Sequence, residues 1–206
     1  MRVRPYGTEA SIVDGLIEGT PALLRDQVID RCNAAGVSVI EVVPAATTLV
    51  VTHDEHDGGS VREVLGSLRA ADVSVNTGRG GLVEIPVRYD GLDLAEVAMS
   101  CSLSIEQVVA LHSGTEYRVS FCGFAPGFAY LAGLPRELRL ARRSSPRPRV
   151  AAGSVAVAAE YSAVYPRESP GGWHLVGTTD VALWDVHRDP PALLQPGTRV
   201  RFVSIT

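Results

Sequence analysis

The 206-residue chain is 46% apolar and 20% charged with a formal net charge of −4, the profile of a globular protein that buries its own core and not of a basic nucleic-acid binder or a bilayer-spanning chain. All 19 basic residues are arginine, which removes a Walker A lysine, a Schiff-base lysine, a carboxylated-lysine metal bridge and a biotinyl-lysine from the available chemistry. Cys32, Cys101 and Cys122 are widely spaced without a CxxC, so neither a disulfide framework nor a zinc site is expected, and with no leader-like apolar run at the start a cytoplasmic location is expected.

Residues 1–81 read as one domain. Val3 to Tyr6 can start a strand; Thr20 and Pro21 suit the cap and first position of a helix. Leu24, Val28 and Cys32 fall on one face of that helix, and Gly36 stops it. The β-prone runs VSVIEVV (37–43) and TTLVVTH (47–53) flank Pro44-Ala45-Ala46 as a hairpin. Ser60 and Glu63 have capping-box spacing, and Val61, Val64, Leu65 and Leu68 recur with helical period. Val73 to Val75 supplies a last strand, so the expected order is βαββαβ, a ferredoxin-like split unit. His53, Asp54, Glu55, His56 and Asp57 include metal-ligand types, but the following Gly58-Gly59 makes a solvated acidic turn the stronger reading, and no metal site is assigned. Asn76 to Gly81 reads as a linker.

Residues 82–206 change in character. A strand at 83–89 precedes two short helices, one starting at Asp93 with Glu96 three residues on and one at Ser104 with Gln107 three residues on, both with capping-box spacing. From Tyr117 onward the β-prone runs YRVSFCGF, GSVAVAA, SAVYP, WHLVG, VALWDV and TRVRFVSI alternate with Gly/Pro turns, as in a β-sandwich or barrel.

No GxSxG, HExxH or CxxC is present, and Ser154 precedes a β-run, unlike a nucleophile elbow; a self-contained hydrolase is not indicated. His112 ends the second short helix, where a histidine either complements the helix dipole or serves a site. In FCGFAPGF, Pro126 fixes φ and Gly127 permits close approach, so Phe124 to Phe128 forms either a rigid pocket wall or an aromatic plug. Tyr165-Pro166 leads into Ser169-Pro170-Gly171-Gly172-Trp173, whose glycines could expose backbone N–H groups as an anion nest beside Arg167. Between the two turns, residues 136–149 carry six arginines against one glutamate, either a solvated loop or a receiver for carboxylate or phosphate.

The segments HSGTEYRVSFCGFAPGFAYLAGLP, PRPRVAAGSVAVA, YPRESPGGWHLVG and LLQPGTRVRFVSI occur in an order that resembles the family of the 5-oxoprolinase B subunit, also called allophanate hydrolase subunit 1 or carboxyltransferase subdomain C/D, which includes KipI-type inhibitors of a sporulation histidine kinase. The resemblance implies an α+β protein with a ferredoxin-like domain over 1–81 and a cyclophilin-like β-barrel over 82–206. It implies one member of a hetero-oligomeric complex, inactive alone, that opens the small molecule 5-oxoproline to glutamate with ATP and Mg, beside a homologous C subunit and a separate A subunit. The alternatives are a KipI-type regulator and a component of an allophanate or urea-carboxylase-type enzyme. No biotin attachment, nucleic acid or membrane is implied. Carried onto the motifs, the catalytic candidates are His112, Tyr117 and Arg149. The substrate-binding candidates are Phe124, Pro126, Gly127, Phe128, Gly153, Ser154, Tyr165, Pro166, Ser169, Pro170, Gly171, Gly172 and Trp173. The chain departs from the family pattern at Ala151, at Tyr161 to Ala163, at Thr178 to Asp180, and in a shortened loop after Tyr89, which puts substrate identity and catalytic strength in question.

Overall fold

A computed structural model describes residues 1–17, 20–68 and 81–206. The chain divides into two compact units, Met1–Arg79 and Gly80–Thr206.

In the first unit, strands β1 (Arg2–Pro5), β2 (Ala10–Asp14), β3 (Val39–Pro44) and β4 (Leu49–His53) form an antiparallel sheet in the order β1-β2-β4-β3. Helix α1 (Thr20–Ala34) turns Leu24, Val28 and Cys32 inward, and Val13, Leu49 and Val51 from the sheet pack in the same core. It ends as a Schellman motif: Gly36 has φ +69°, and the Val37 amide donates to the Cys32 carbonyl at 2.9 Å. Helix α2 (Gly58–Gly66) adds Val61 and Leu65 to that core.

Three expectations change here. Ala10–Asp14 is a strand that the composition did not announce, and β1 takes the edge beside it, so the described order begins ββαββα. The expected strand at Val73 to Val75, and all but the last residue of the expected linker, lie outside the described residues. Helix α2 starts two residues before Ser60, at Gly58, with no side-chain cap bond at Asp57, so Ser60 sits inside the first turn and the capping box does not form. His53 is no solvated turn residue either. Fully buried, its Nδ1–H donates to the Asp54 carbonyl at 2.8 Å, which leaves Nε2 to accept from Ser11 Oγ at 3.0 Å. The Ser11 and His53 pair explains how β2 tolerates a polar residue between two apolar ones.

The second unit has mixed α/β character around a nearly closed β-barrel. Its strands are β5 (Leu82–Val87), β6 (Glu116–Cys122), β7 (Ala129–Ala132), β8 (Arg147–Val150), β9 (Ser154–Ala158), β10 (Tyr161–Val164), β11 (Ser169–Gly171), β12 (His174–Thr178) and β13 (Arg199–Ser204). Seven of them run in the order β12-β9-β10-β7-β6-β13-β5, and a bridge from Arg88 to Thr178 brings the two edges together. β8 and β11 pair separately. Helices α3 (Leu94–Ser100) and α4 (Ile105–Ser113) lie between β5 and β6, and Leu94, Val97 and Val108 join the larger core.

Strand alternation splits the barrel's buried side chains into two sets. Val155, Val157, Val164, Val119 and Leu131 enter the larger core with Tyr117 and Phe202. Ala156, Ala158, Tyr161 and Ala163 enter a second core with Phe128, Tyr165 and Trp173. The β-prone run VALWDV (181–186) is not a strand. It folds back so that the Leu193 amide donates to the Leu183 carbonyl at 3.0 Å, leaving one bridge, Trp184 to Ala192.

No single helix among the described residues is long and apolar enough to cross a membrane.

Candidate functional site

The turn between β6 and β7 is built as its sequence demands. The Phe128 amide donates to the Ala125 carbonyl at 2.9 Å and the Gly123 amide to the Phe128 carbonyl at 3.2 Å, which closes the loop tightly. Gly127 has φ +81°, and a Cβ there would lie 2.9 Å from Trp184 Cβ, so only glycine fits both the backbone and its neighbour. Phe124 has φ +69°, a left-handed conformation that costs a phenylalanine on the order of 1 kcal/mol. The strain holds the ring 58% exposed, edge-on to Phe128 at 5.2 Å and to Tyr165 at 6.4 Å. Behind it Phe128, Tyr130, Tyr161, Tyr165, Trp173 and Phe121 make one continuous network of ring contacts. The turn is therefore both an aromatic plug, through Phe128, and an exposed apolar wall, through Phe124 and Pro126.

The SPGGW segment sits against the same cluster for a different reason from the one expected. Neither Gly171 nor Gly172 has positive φ, so no nest of alternating handedness forms. A Cβ on Gly171 would collide with the Tyr165 hydroxyl, and the Gly172 carbonyl accepts from the Arg143 amide at 2.8 Å. Gly171 serves close packing, whereas a Cβ on Gly172 would meet only ordinary contacts with Arg143 and Pro146. Ser169 and Gly171 pair with Val150 and Arg147 across β11 and β8, which lays the basic strand beside the turn.

Gly153 (φ +79°) closes the neighbouring corner: its amide donates to the Tyr165 carbonyl at 2.8 Å, and a Cβ would strike the Thr179 carbonyl oxygen. Gly153→Ala is expected to lower the melting midpoint by several degrees more than Gly197→Ala. Gly197 has φ +89° but open space around a Cβ, so the alanine there carries only the backbone cost of about 1–2 kcal/mol. Equal thermal shifts for the two variants would refute a packing role for Gly153. Ser154 is buried in β9, pairing with Thr178, and offers no free nucleophile at the surface. Pro166 is half-buried and Pro170 exposed.

Two arginines of the basic run, Arg143 and Arg147, are neutralised from within the unit. Asp93, 2% exposed, accepts from Arg147 Nη1 at 2.9 Å and Nη2 at 2.6 Å, from Arg143 Nη1 at 3.1 Å and from the Leu175 amide at 2.8 Å. Glu96 takes a second bond from Arg143 at 2.8 Å. Asp93 precedes α3 yet makes no side-chain cap bond, so the capping box read there does not form; the one at Ser104 and Gln107 does. Burial alone would raise the Asp93 carboxyl. The Arg147 hydrogen bond, the Leu175 amide and the two guanidinium charges outweigh it and hold the carboxyl below its usual range. Arg149 differs from these arginines: its side chain is 81% exposed and its nearest carboxylate, Glu168, is 3.8 Å away. Of the two arginines of β8 it is the exposed one.

His112 and Tyr117 lie elsewhere. His112 is 0% exposed, stacked on Phe202 at 4.5 Å, with Nε2 2.9 Å from Ser162 Oγ and Nδ1 2.8 Å from the Tyr89 hydroxyl. Ser162 donates its one proton to the Ala156 carbonyl at 3.2 Å, so it accepts from Nε2–H, and the Tyr89 O–H donates to Nδ1. Every polar atom of the ring is thus used, and burial lowers the His112 pKa to about 3, leaving it neutral near pH 7. Tyr117 is buried beside it and donates to the His112 carbonyl at 3.1 Å; burial pushes its phenol up, as it does that of Tyr89. On β10, Ser162 faces His112 while its neighbour Tyr161 joins the aromatic cluster, so the two groups sit on opposite faces of one strand.

The structure therefore gathers Phe124, Pro126, Gly127, Phe128, Tyr165, Ser169, Pro170, Gly171, Gly172 and Trp173 on one side of the barrel, with Arg149 on the strand paired to the SPGGW segment, and sets His112 and Tyr117 inside it. Sequence reasoning missed Asp93 as the hub of the basic run, Tyr89 and Ser162 as partners of His112, and Trp184 behind Gly127. Six arginines against one nearby glutamate were the available signal that a remote carboxylate was needed.

The family model for the carboxyltransferase domain, subdomain C and D, matches residues 1–194. The 5-oxoprolinase B subunit of Escherichia coli O157:H7 is 53% identical over 124 residues, 59% of this chain and 57% of that protein. The protein of the same name from Bacillus subtilis (strain 168) is 37% identical over 213 residues, 94% of this chain and 84% of its own length. The crystal structure of TTHA0988 superposes with a TM-score of 0.79 at 38% identity, covering 100% of this chain and 40% of that one.

Proposed function

The chain belongs to the carboxyltransferase-domain family of subdomains C and D, and on that premise we propose that it is the B subunit of an ATP-dependent amide hydrolase complex, most specifically one that opens 5-oxoproline to glutamate. The observation that carries the reading is the name shared by the two relatives, each a 5-oxoprolinase B subunit. The exposed Phe124 ring and the exposed Arg149 side chain support the reading, each being open to a ligand.

In the reaction, water adds oxygen to the lactam carbonyl carbon, the C–N bond breaks and the nitrogen leaves as the amine of glutamate. ATP would supply a phosphoryl group to the lactam oxygen, which activates the stable amide, and a second water releases that group as phosphate, with ADP as the other product. With no lysine in the chain, this protein does not offer the usual phosphate cradle, so the nucleotide and its Mg are assigned to its A and C partners. The role of this chain is to bind and orient. Arg149 holds an anionic oxygen of the substrate or transition state, while Phe124 and Pro126 keep water from that face. His112 and Tyr117, sealed inside the barrel, support the wall and do not touch substrate.

Reconstitution with the A and C partners, followed by ATP-dependent glutamate release, tests this. Arg149→Ala is expected to lower kcat/KM by about 10- to 100-fold, in line with the loss of one charged hydrogen bond. The melting midpoint should stay unchanged, since the side chain is 81% exposed. Full activity in Arg149→Ala would remove the anion-holding role, and no glutamate release by the intact complex would remove the substrate assignment. The complete burial of His112 favours a second reading, a KipI-type regulator without catalysis of its own. Binding to a purified sensor histidine kinase in the absence of the C partner would support that reading.

A further inference from the structure

Phe124 occupies the centre of a γ-turn: the Ala125 amide donates to the Gly123 carbonyl at 2.8 Å around a φ of +69°. With positive φ this is the strained form of the turn, and a side chain stays in such a backbone only where its surroundings leave it no alternative. The other two bonds of the loop, from the Phe128 amide to Ala125 and from the Gly123 amide to Phe128, close its ends and do not involve Phe124 itself. Part of the constraint must therefore come from outside the loop.

Residues 183–193 supply it. Leu183 and Leu194, each 2% exposed in the larger core, anchor the segment at either end. Between the anchors the Asp185 amide donates to the Pro191 carbonyl at 3.0 Å and the Arg188 amide to the Asp185 carbonyl at 3.1 Å, while Arg188 Nη2 reaches back to the Ala182 carbonyl at 3.0 Å. The segment thus holds its shape without belonging to a sheet, and it meets the aromatic turn at Gly127. A Cβ built on Gly127 would lie 2.9 Å from Trp184 Cβ and 3.2 Å from the Leu183 carbonyl oxygen. The indole of Trp184 is 41% exposed and makes no ring contact among the described residues, so the Cβ and the adjoining backbone are what touch the turn.

We propose that Trp184 is a positioning residue for Phe124: its Cβ, with the Leu183 carbonyl, seats the Gly127 backbone and so keeps the Phe124 ring turned outward. The seat requires the Cβ and not the indole. Its effect on turnover rests on the reading above, in which Phe124 shields substrate from water, whereas its effect on the Phe124 ring does not.

The test has two arms. The full chain labelled with 4-fluorophenylalanine gives one fluorine signal for each of its four phenylalanines, and Phe124→Leu identifies the one that belongs to Phe124. Trp184→Gly is expected to move that signal toward the value of the free amino acid while those of Phe121 and Phe202 stay in place. Trp184→Ala, which keeps the Cβ, is expected to leave it unmoved. In the complex reconstituted with the A and C partners, Trp184→Gly should raise KM for 5-oxoproline about fivefold with kcat little changed, and Trp184→Ala should restore it. Adding Trp184→Gly to Phe124→Ala should cause no further loss, because the first residue acts through the second. An unmoved Phe124 signal in Trp184→Gly, an alanine variant as impaired as the glycine one, or additive losses in the double variant would overturn the proposal. So would the loss of all four native signals in Trp184→Gly, which would make Trp184 a general packing residue. No glutamate release by the wild-type complex would remove the substrate reading alone, and the fluorine comparison would still decide the positioning role.

Discussion

Asp93→Ala is expected to destabilise the second unit by about 3–5 kcal/mol, the usual consequence of removing one member of a buried charge cluster and stranding the others. The carboxylate gathers four hydrogen bonds, and without it Arg147, whose side chain is 23% exposed, is uncompensated, Arg143, 26% exposed, keeps only Glu96, and the Leu175 amide loses its partner. Asp93→Asn keeps the size and one acceptor, so it should recover part of the loss but not the charge pairing. Urea unfolding of the three proteins measures the difference. A loss below about 1 kcal/mol for Asp93→Ala would reduce the cluster to a surface ion pair. The sign of the pH effect follows from the direction of the shift. The folded carboxyl titrates below its unfolded value near 3.9, so its contribution is complete above that pH and disappears as pH falls through the lower folded value.

His112→Leu should act over a different window. The folded imidazole titrates at about 3 against an unfolded value of about 6.5. Between those values the unfolded chain binds a proton that the native chain refuses, so stability is complete above pH 6.5 and falls with acidification. The slope is about 1.4 kcal/mol per pH unit until the native value is reached. His112→Leu loses that slope between about pH 6.5 and 4 while costing about 2–4 kcal/mol at pH 7, because the Tyr89 hydroxyl loses its acceptor and Ser162 Oγ loses the donor it accepts from, keeping only its bond to the Ala156 carbonyl. Stability curves of wild type and variant from pH 7 to pH 4 decide the matter: parallel curves would mean that His112 is protonated in the native barrel. The same variant separates support from catalysis. A supporting residue alters the melting midpoint and leaves the pH profile of activity in shape.

Local pattern was sufficient where the partner of a side chain lies one turn away. Leu24, Val28 and Cys32, the Gly36 stop and the Ser104 and Gln107 box all behave as their spacing requires. It was insufficient where the partner is remote. Asp93 and Glu96 have the spacing of a cap, but two arginines some fifty positions on draw both carboxylates away from the helix end. Ser11 interrupts an apolar strand legibly only once His53 is seen beside it. His112 carries no mark in the sequence that separates a buried, fully bonded ring from an acid–base group. The two readings diverge only when Tyr89 and Ser162 close on it from either side. The aromatic turn sits between these cases. Its rigidity was legible in Pro126 and Gly127, whereas the exposure of Phe124 follows from a backbone angle that no residue type announces.

The pairing of β13 with its neighbours has a consequence for how the protein is made. Arg199 to Ser204 runs parallel to Leu82 to Val87 and antiparallel to the start of β6, so both of those strands wait for a segment synthesised more than a hundred residues after β5. At ribosomal speeds of roughly 5–20 residues per second, β5 stays without its partner for several seconds. During that time Ile85 and Val87, fully buried in the finished barrel, are available to chaperones or to the same strand of another nascent chain. Assembly of the barrel is thus gated by its final strand, and high-level expression should reward conditions that slow association more than conditions that speed folding.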